Sequence, residues 1–151
     1  MTSAVLAQSM PSAISVMSDL LGPQSVDPSS VITFPKGLLG FPECRSFILL
    51  PSEREHVYWL QSVEYSTLVF LTVDPFVFFP GYTLDLAVTD FGMPVSASEV
   101  SVLAIVTLPQ ARNESPTANL QGPVVVHLGT VMGHQLVVPD GPHGVREPFK
   151  L

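Results

Sequence analysis

Fifteen prolines in 151 residues constrain this chain more than any other feature. Proline lacks an amide hydrogen and clashes with the preceding helical turn, so a chain punctuated this often has little room for long helices. Between the prolines and the Gly, Asp and Ser that accompany them lie short apolar bursts rich in Val, Ile, Phe and Tyr. They are SVITF (30–34), SFILL (46–50), VYWLQSVE (57–64), TLVFLTV (67–73), YTLDLAV (82–88), EVSVLAIVTL (99–108), GPVVVHL (122–128) and HQLVV (134–138). These are strand signals. With no helical segments between them they predict an all-β fold, a small antiparallel barrel-like or sandwich domain. In residues 82–88, Tyr82, Leu84, Leu86 and Val88 fall on one side and Thr83, Asp85 and Ala87 on the other, the pattern of a strand with one wet face. VLAIVTL is apolar on both sides and reads as a central strand. Helix has room only near the N-terminus and at 93–99.

The length fits one domain, taken as residues 27–151 behind an extension of residues 1–26. No Lys or Arg precedes Lys36, so a signal peptide lacks its positive region, and Gln8, Ser9, Pro11, Ser15 and Asp19 interrupt any membrane span. The extension is read either as disordered or as carrying a short helix from Ser12 to Leu21, with Ile14, Met17 and Leu21 on one face.

Hydrophobic residues make up 46% of the chain and charged residues only 13%, so some apolar surface is expected to meet a partner. The net charge of -7 disfavours direct binding to nucleic acid or an anionic membrane. From Glu55 to Ala111 there is no Lys or Arg, while Glu55, Glu64, Asp74, Asp85, Asp90 and Glu99 supply six acids. Such a stretch either attracts a basic protein or simply faces water.

The single cysteine, Cys44, cannot form an internal disulfide, which fits a reducing cytoplasm. Nucleotide-binding, zinc-protease and serine-hydrolase motifs are absent, and His127, His134 and His143 stand at spacings that match no common metal-ligand pattern. No cofactor, metal or enzymatic activity is expected. An enzyme would have to bring His127 or His134 beside a carboxylate or thiol from elsewhere in the chain.

Three blocks are more specific than generic β sequence. In ITFPKGLLGFPECRSFILLP (32–51), Gly37 and Gly40 are expected at positive φ, turning Leu38, Leu39 and Phe41 inward. WLQSVEYSTLVFLTVDPFVFFPGYTLDL (59–86) leads two strands into an aromatic corner. VLAIVTLPQARNESPTANLQGPVVV (102–126) ends in an amide-rich corner, where Pro123 starts a strand without leaving an unpaired donor. There Asn119 and Gln121 either tie the corner to the preceding loop or bond a partner's backbone.

The order GLLGF, LQSVE, VDPFVFF, TANLQGPVVV over residues 31 to about 140 resembles the flagellar assembly factor FliW family. Gly122, where a small residue such as Ala is familiar, and His127, where Asn is common, depart from its pattern. The resemblance implies a non-catalytic β-barrel-like protein of the bacterial cytoplasm that binds newly made flagellin as a chaperone. It also implies that the free protein binds and antagonises the RNA-binding translational repressor CsrA, by a noncompetitive, allosteric mode, so that flagellin mRNA is translated. Glu64, Asp74 and Asp85 are then the expected CsrA-facing charges. Phe76, Phe79 and Tyr82, with Phe78, either line a groove for a flagellin helix or belong to the barrel core. Two other readings stay open: a binding module or chaperone for another secreted protein without CsrA control, and a small hydrolase.

Overall fold

The β-branched and aromatic bursts do form strands, in a computed structural model that describes residues 12–86, 95–138 and 142–151. In chain order the strands are β1 (Ile14–Val16), β2 (Gln24–Val26), β3 (Ile32–Thr33), β4 (Ser46–Pro51), β5 (Val57–Ser62) and β6 (Val69–Val73). They continue with β7 (Val100–Thr107), β8 (Thr117–Ala118), β9 (Val124–His127), β10 (Met132–Gln135) and β11 (Glu147–Pro148). A one-turn helix, α1 (Pro75–Phe78), follows β6. Among the described residues no helix is long and apolar enough to cross a membrane.

Strands β3, β4, β5, β6, β7, β9 and β10 hydrogen-bond in that order, and β10 closes back on β3. The result is a seven-stranded barrel, with β8 and β11 added beside β7. The expected antiparallel order holds at every join of the ring except one. Met132 of β10 pairs with Thr33 of β3 in parallel. An odd ring requires this, because strand directions cannot alternate all the way round seven members.

Side chains alternate across the barrel wall. Phe34, Phe47, Leu60, Leu103, Val124 and Val126 fill the interior. On the opposite face Val57, Leu71, Val73, Ala104 and Val106 are covered by Tyr82, Leu120 and Phe149, with Phe78 and Phe79 packed alongside. Strand β7 is therefore apolar on both sides, as VLAIVTL predicts, and it has β6, β8 and β9 as neighbours.

Several local expectations need correction. The helix expected over 12–21 is a hairpin: β1 pairs with β2, Val16 and Ser18 are buried, and the Asp19 amide donates to the Ser66 carbonyl at 2.9 Å. Ten residues are too few to sustain a lone helix, the Ser18 hydroxyl captures the Leu21 amide at 3.0 Å, and the turn closes on Gly22 at φ 79°. Residues 82–86 keep the expected alternation of exposure but pair with no strand, and the remainder of that burst lies outside the described residues. They lie over the barrel as a cover, with Tyr82 buried. Of the helix allowed at 93–99, Ala97–Glu99 forms a 3-10 turn, and 93–94 lie outside the described residues. The aromatic corner also contains a helix, α1, which the prolines hid. Pro75 occupies its first turn, where no amide hydrogen is needed.

Gly37 and Gly40 do take positive φ, 65° and 85°. Leu38 is buried, but Leu39, at the tip of the Leu38–Phe41 turn, is 55% exposed rather than turned inward. A two-residue turn projects its first central side chain away from the strands it joins.

Candidate partner-binding surface

The motifs that look most functional in sequence prove to be clasps made from side chains onto backbone. In LQSVE, Gln61 is fully buried, and its Nε2 lies within hydrogen-bond range of the carbonyls of Ser62, Tyr65, Ser66 and Leu68, at 3.0 to 3.4 Å. Ser62 Oγ accepts from the Tyr65 amide at 3.0 Å. The Glu64 carboxylate accepts from the amides of Ser46 at 2.7 Å and Arg45 at 3.1 Å. Glu64 thus locks the β5–β6 connection onto the start of β4 while keeping an exposed position.

Asp74 has a comparable task. It caps α1, accepting from the Phe76 amide at 2.9 Å. Asp85 is exposed in the covering segment. The three acids expected to face CsrA thus sit in three different local settings.

The aromatic corner divides. Tyr82 is 6% exposed in the outer core, its ring centroid 5.4 Å from that of His143, and burial raises its phenol pKa. Phe78 and Phe79 stack on Phe149 at centroid distances of 5.6 and 5.3 Å. Tyr82 thus belongs to the outer core, and Phe79 packs, half-buried, against it. Phe76 is 47% exposed and lines an open groove of about 550 Å³ together with Asp74, Leu86, Val100, Val102 and Leu128. A second groove, of about 700 Å³, lies over Trp59 and Leu71 and is bordered by Leu21, Leu108 and Leu151.

The NLQGP corner is a junction. Asn119 Oδ1 accepts from the amides of Gln121 at 3.1 Å and Gly122 at 2.9 Å, so its tie lies within the corner and not to the preceding loop. Gln121 Nε2 donates to the His143 carbonyl at 2.9 Å, and Leu120 N to the Gly144 carbonyl at 3.1 Å, which fastens the C-terminal segment. Gln135 links the corner to GLLG: its Nε2 donates to the Gly122 carbonyl, and its Oε1 accepts from the Leu39 amide. Sequence reading singled out Asn119 and Gln121 but missed Gln61 and Gln135, whose partners are defined only by folding.

Among the described residues no cluster of three or more His, Cys, Asp or Glu is arranged to hold a metal. Cys44 is buried, and burial, then Glu43 and Glu64, push its thiol pKa up, away from reactivity. His127 lies with Nε2 3.4 Å from Glu99 Oε2, while Nδ1 faces the Thr130 amide at 3.1 Å and the Thr130 hydroxyl at 3.2 Å. The amide must donate, so the Nδ1 lone pair is already engaged and the hydroxyl has no free base beside it.

The family model described as "FliW protein" matches residues 15–149. A flagellar assembly factor FliW of Natranaerobius thermophilus is 34% identical over 137 residues, covering 89% of this chain and 91% of that protein. One from Magnetococcus marinus is 35% identical over 133 residues, 85% of this chain and 80% of that protein. A crystal structure of the flagellar assembly factor FliW superposes with a TM-score of 0.77 at 25% identity, covering 89% of this chain and 96% of that one. With the family match spanning the barrel, its outer cover and the C-terminal clasp, the chain belongs to the FliW family of flagellar assembly factors.

Proposed function

We propose that this protein is a non-catalytic cytoplasmic factor that holds newly made flagellin and, when free of it, binds and antagonises CsrA so that flagellin mRNA is translated. The observation that carries this reading is the family match across residues 15–149, with relatives named as flagellar assembly factors. Two physical features support it. CsrA must be basic to bind RNA, and residues 55–111 carry acids without a single Lys or Arg. A flagellin segment prevented from premature assembly needs an apolar surface, and two open apolar grooves flank the outer cover of the barrel. In the Glu99–His127–Thr130 row, a hydrolase-like grouping, Nδ1 of His127 already accepts from the Thr130 amide as a turn clasp.

The test is calorimetry with flagellin and CsrA from the same organism, each alone and then in competition. Binding to both, with flagellin displacing CsrA, is expected. Binding to flagellin alone would remove translational control from the proposal, and binding to neither would remove both partners. A pull-down from motile cells that returns a different secreted protein and no flagellin would favour a chaperone of other cargo.

A further inference from the structure

We propose that the groove between α1 and the start of β7 docks an amphipathic peptide segment whose apolar residues are flanked by lysine or arginine. This rests on the reading of the chain as a factor that holds partner proteins, and it names where such a segment sits and what it must carry. The floor and walls are Val100, Val102, Leu86, Phe76 and Leu128, with Asp74 at the edge, around a volume of about 550 Å³. Phe76 and Leu128 are 47% and 57% exposed, an unusual cost for two large apolar side chains beside the same concavity.

Charge selects the occupant. All of these residues except Leu128 belong to the stretch from Glu55 to Ala111 that contains no Lys or Arg. Asp74 is the one charged residue among those that line the groove, and no Lys or Arg lines it. An apolar floor lined by a carboxylate and by no Lys or Arg favours a segment with an apolar stripe and basic flanks over the same stripe flanked by acids. The Trp59 groove makes the contrast. It is larger, about 700 Å³, but Glu53 and Arg54 both line it, so it has no preference of sign.

The proposal is tested by NMR titration of the 15N-labelled protein with two synthetic peptides that share one leucine stripe, one flanked by lysines and the other by glutamates. The lysine peptide should shift the amides of Phe76, Val100, Val102 and Leu128, and the glutamate peptide should bind at least about tenfold more weakly. That difference should shrink as salt is added. Equal affinities, shifts centred on Trp59 and Leu71, or no shifts at all would overturn it. Leu128→Asp, on an exposed turn, should lose the lysine peptide by about tenfold or more. Leu108→Asp, in the Trp59 groove, should leave binding unchanged; the dispersion of both spectra reports that the fold is intact. If flagellin or CsrA binds wild type and Leu128→Asp equally well, the groove is wrong and the functional reading stands. If the lysine peptide maps to the groove while neither protein binds, the functional reading fails and the groove stands.

Discussion

The ring of Phe34 lies against the backbone of Gly133: a Cβ at position 133 would stand 2.5 Å from Cε2 and 2.6 Å from Cζ. Phe34 is fully buried at the centre of the barrel interior, and its ring meets Phe47 edge-on at a centroid distance of 5.4 Å, so it has no room to withdraw. Gly133→Ala is expected to destabilise the protein by about 1–3 kcal/mol, as overpacking in a tight core does. In a Phe34→Leu background the same change should cost much less. Urea denaturation of the two single variants and the double variant measures the coupling, and simple additivity would contradict the contact.

Gln61 presents its NH2 group to four carbonyl oxygens, while its own Oε1 is buried without a hydrogen-bond partner among the described residues. Gln61→Glu would replace that donor with an acceptor and bury an uncompensated charge. A loss of roughly 3–5 kcal/mol at neutral pH is expected, enough to prevent folding of a marginal domain. A well-folded Gln61→Glu protein with an unchanged melting temperature would show that the carbonyl cage does not hold the β5–β6 turn.

Asn119 and Gln121 have separable tasks. Asn119→Asp keeps the oxygen that accepts two amides and should be tolerated, whereas Asn119→Ala should cost about 1–3 kcal/mol because two part-buried donors lose their acceptor. Gln121→Ala should cost about 1 kcal/mol and speed hydrogen exchange at Leu120, whose amide bonds the C-terminal segment at Gly144. Exchange at Leu120 unaltered by Gln121→Ala would dissociate the side chain from that clasp.

Burial raises the Tyr82 phenol pKa above its ordinary value, because the protein favours the neutral form. The unfolded chain ionises first as pH rises, so this contribution to stability is complete below about pH 10 and is lost as pH climbs through the folded value. Tyr82→Phe should flatten that part of the alkaline fall in melting temperature. Identical alkaline profiles for the variant and the wild type would disconnect Tyr82 from it.

Glu64 and Asp74 hold backbone amides as well as charge, so removing the side chains would confuse the two roles. Glu64→Gln, Asp74→Asn and Asp85→Asn together remove the charges; Asp74→Asn keeps the oxygen that accepts from the Phe76 amide, whereas Glu64→Gln keeps only one of the two oxygens that accept from Arg45 and Ser46. The triple variant should stay folded but lose about 1–3 kcal/mol at the Glu64 site, where one backbone amide loses its acceptor, and it should bind CsrA more weakly with a shallower salt dependence. Unchanged affinity and salt slope would reject these three as the CsrA-facing charges.

By itself the sequence determined what is local. Fifteen prolines and β-branched bursts forced short strands, the two-sided apolar run of β7 marked the centre of the sheet, and Gly37 and Gly40 announced the turn between them. Each of these follows from the preferences of a residue and its immediate neighbours. Only the tertiary structure decided how the strands close into a ring, since seven members demand one parallel join and nothing local marks β3 and β10 as the pair that supplies it. It also decided that residues 14–26 form a hairpin, that Phe79 and Tyr82 cover the barrel while Phe76 faces solvent, and that Gln121 reaches His143. An amphipathic spacing such as Ile14, Met17 and Leu21 fits a helix on paper, but the surface available for burial selects the conformation. An amide side chain likewise acquires its role only when folding brings a carbonyl within 3 Å of it.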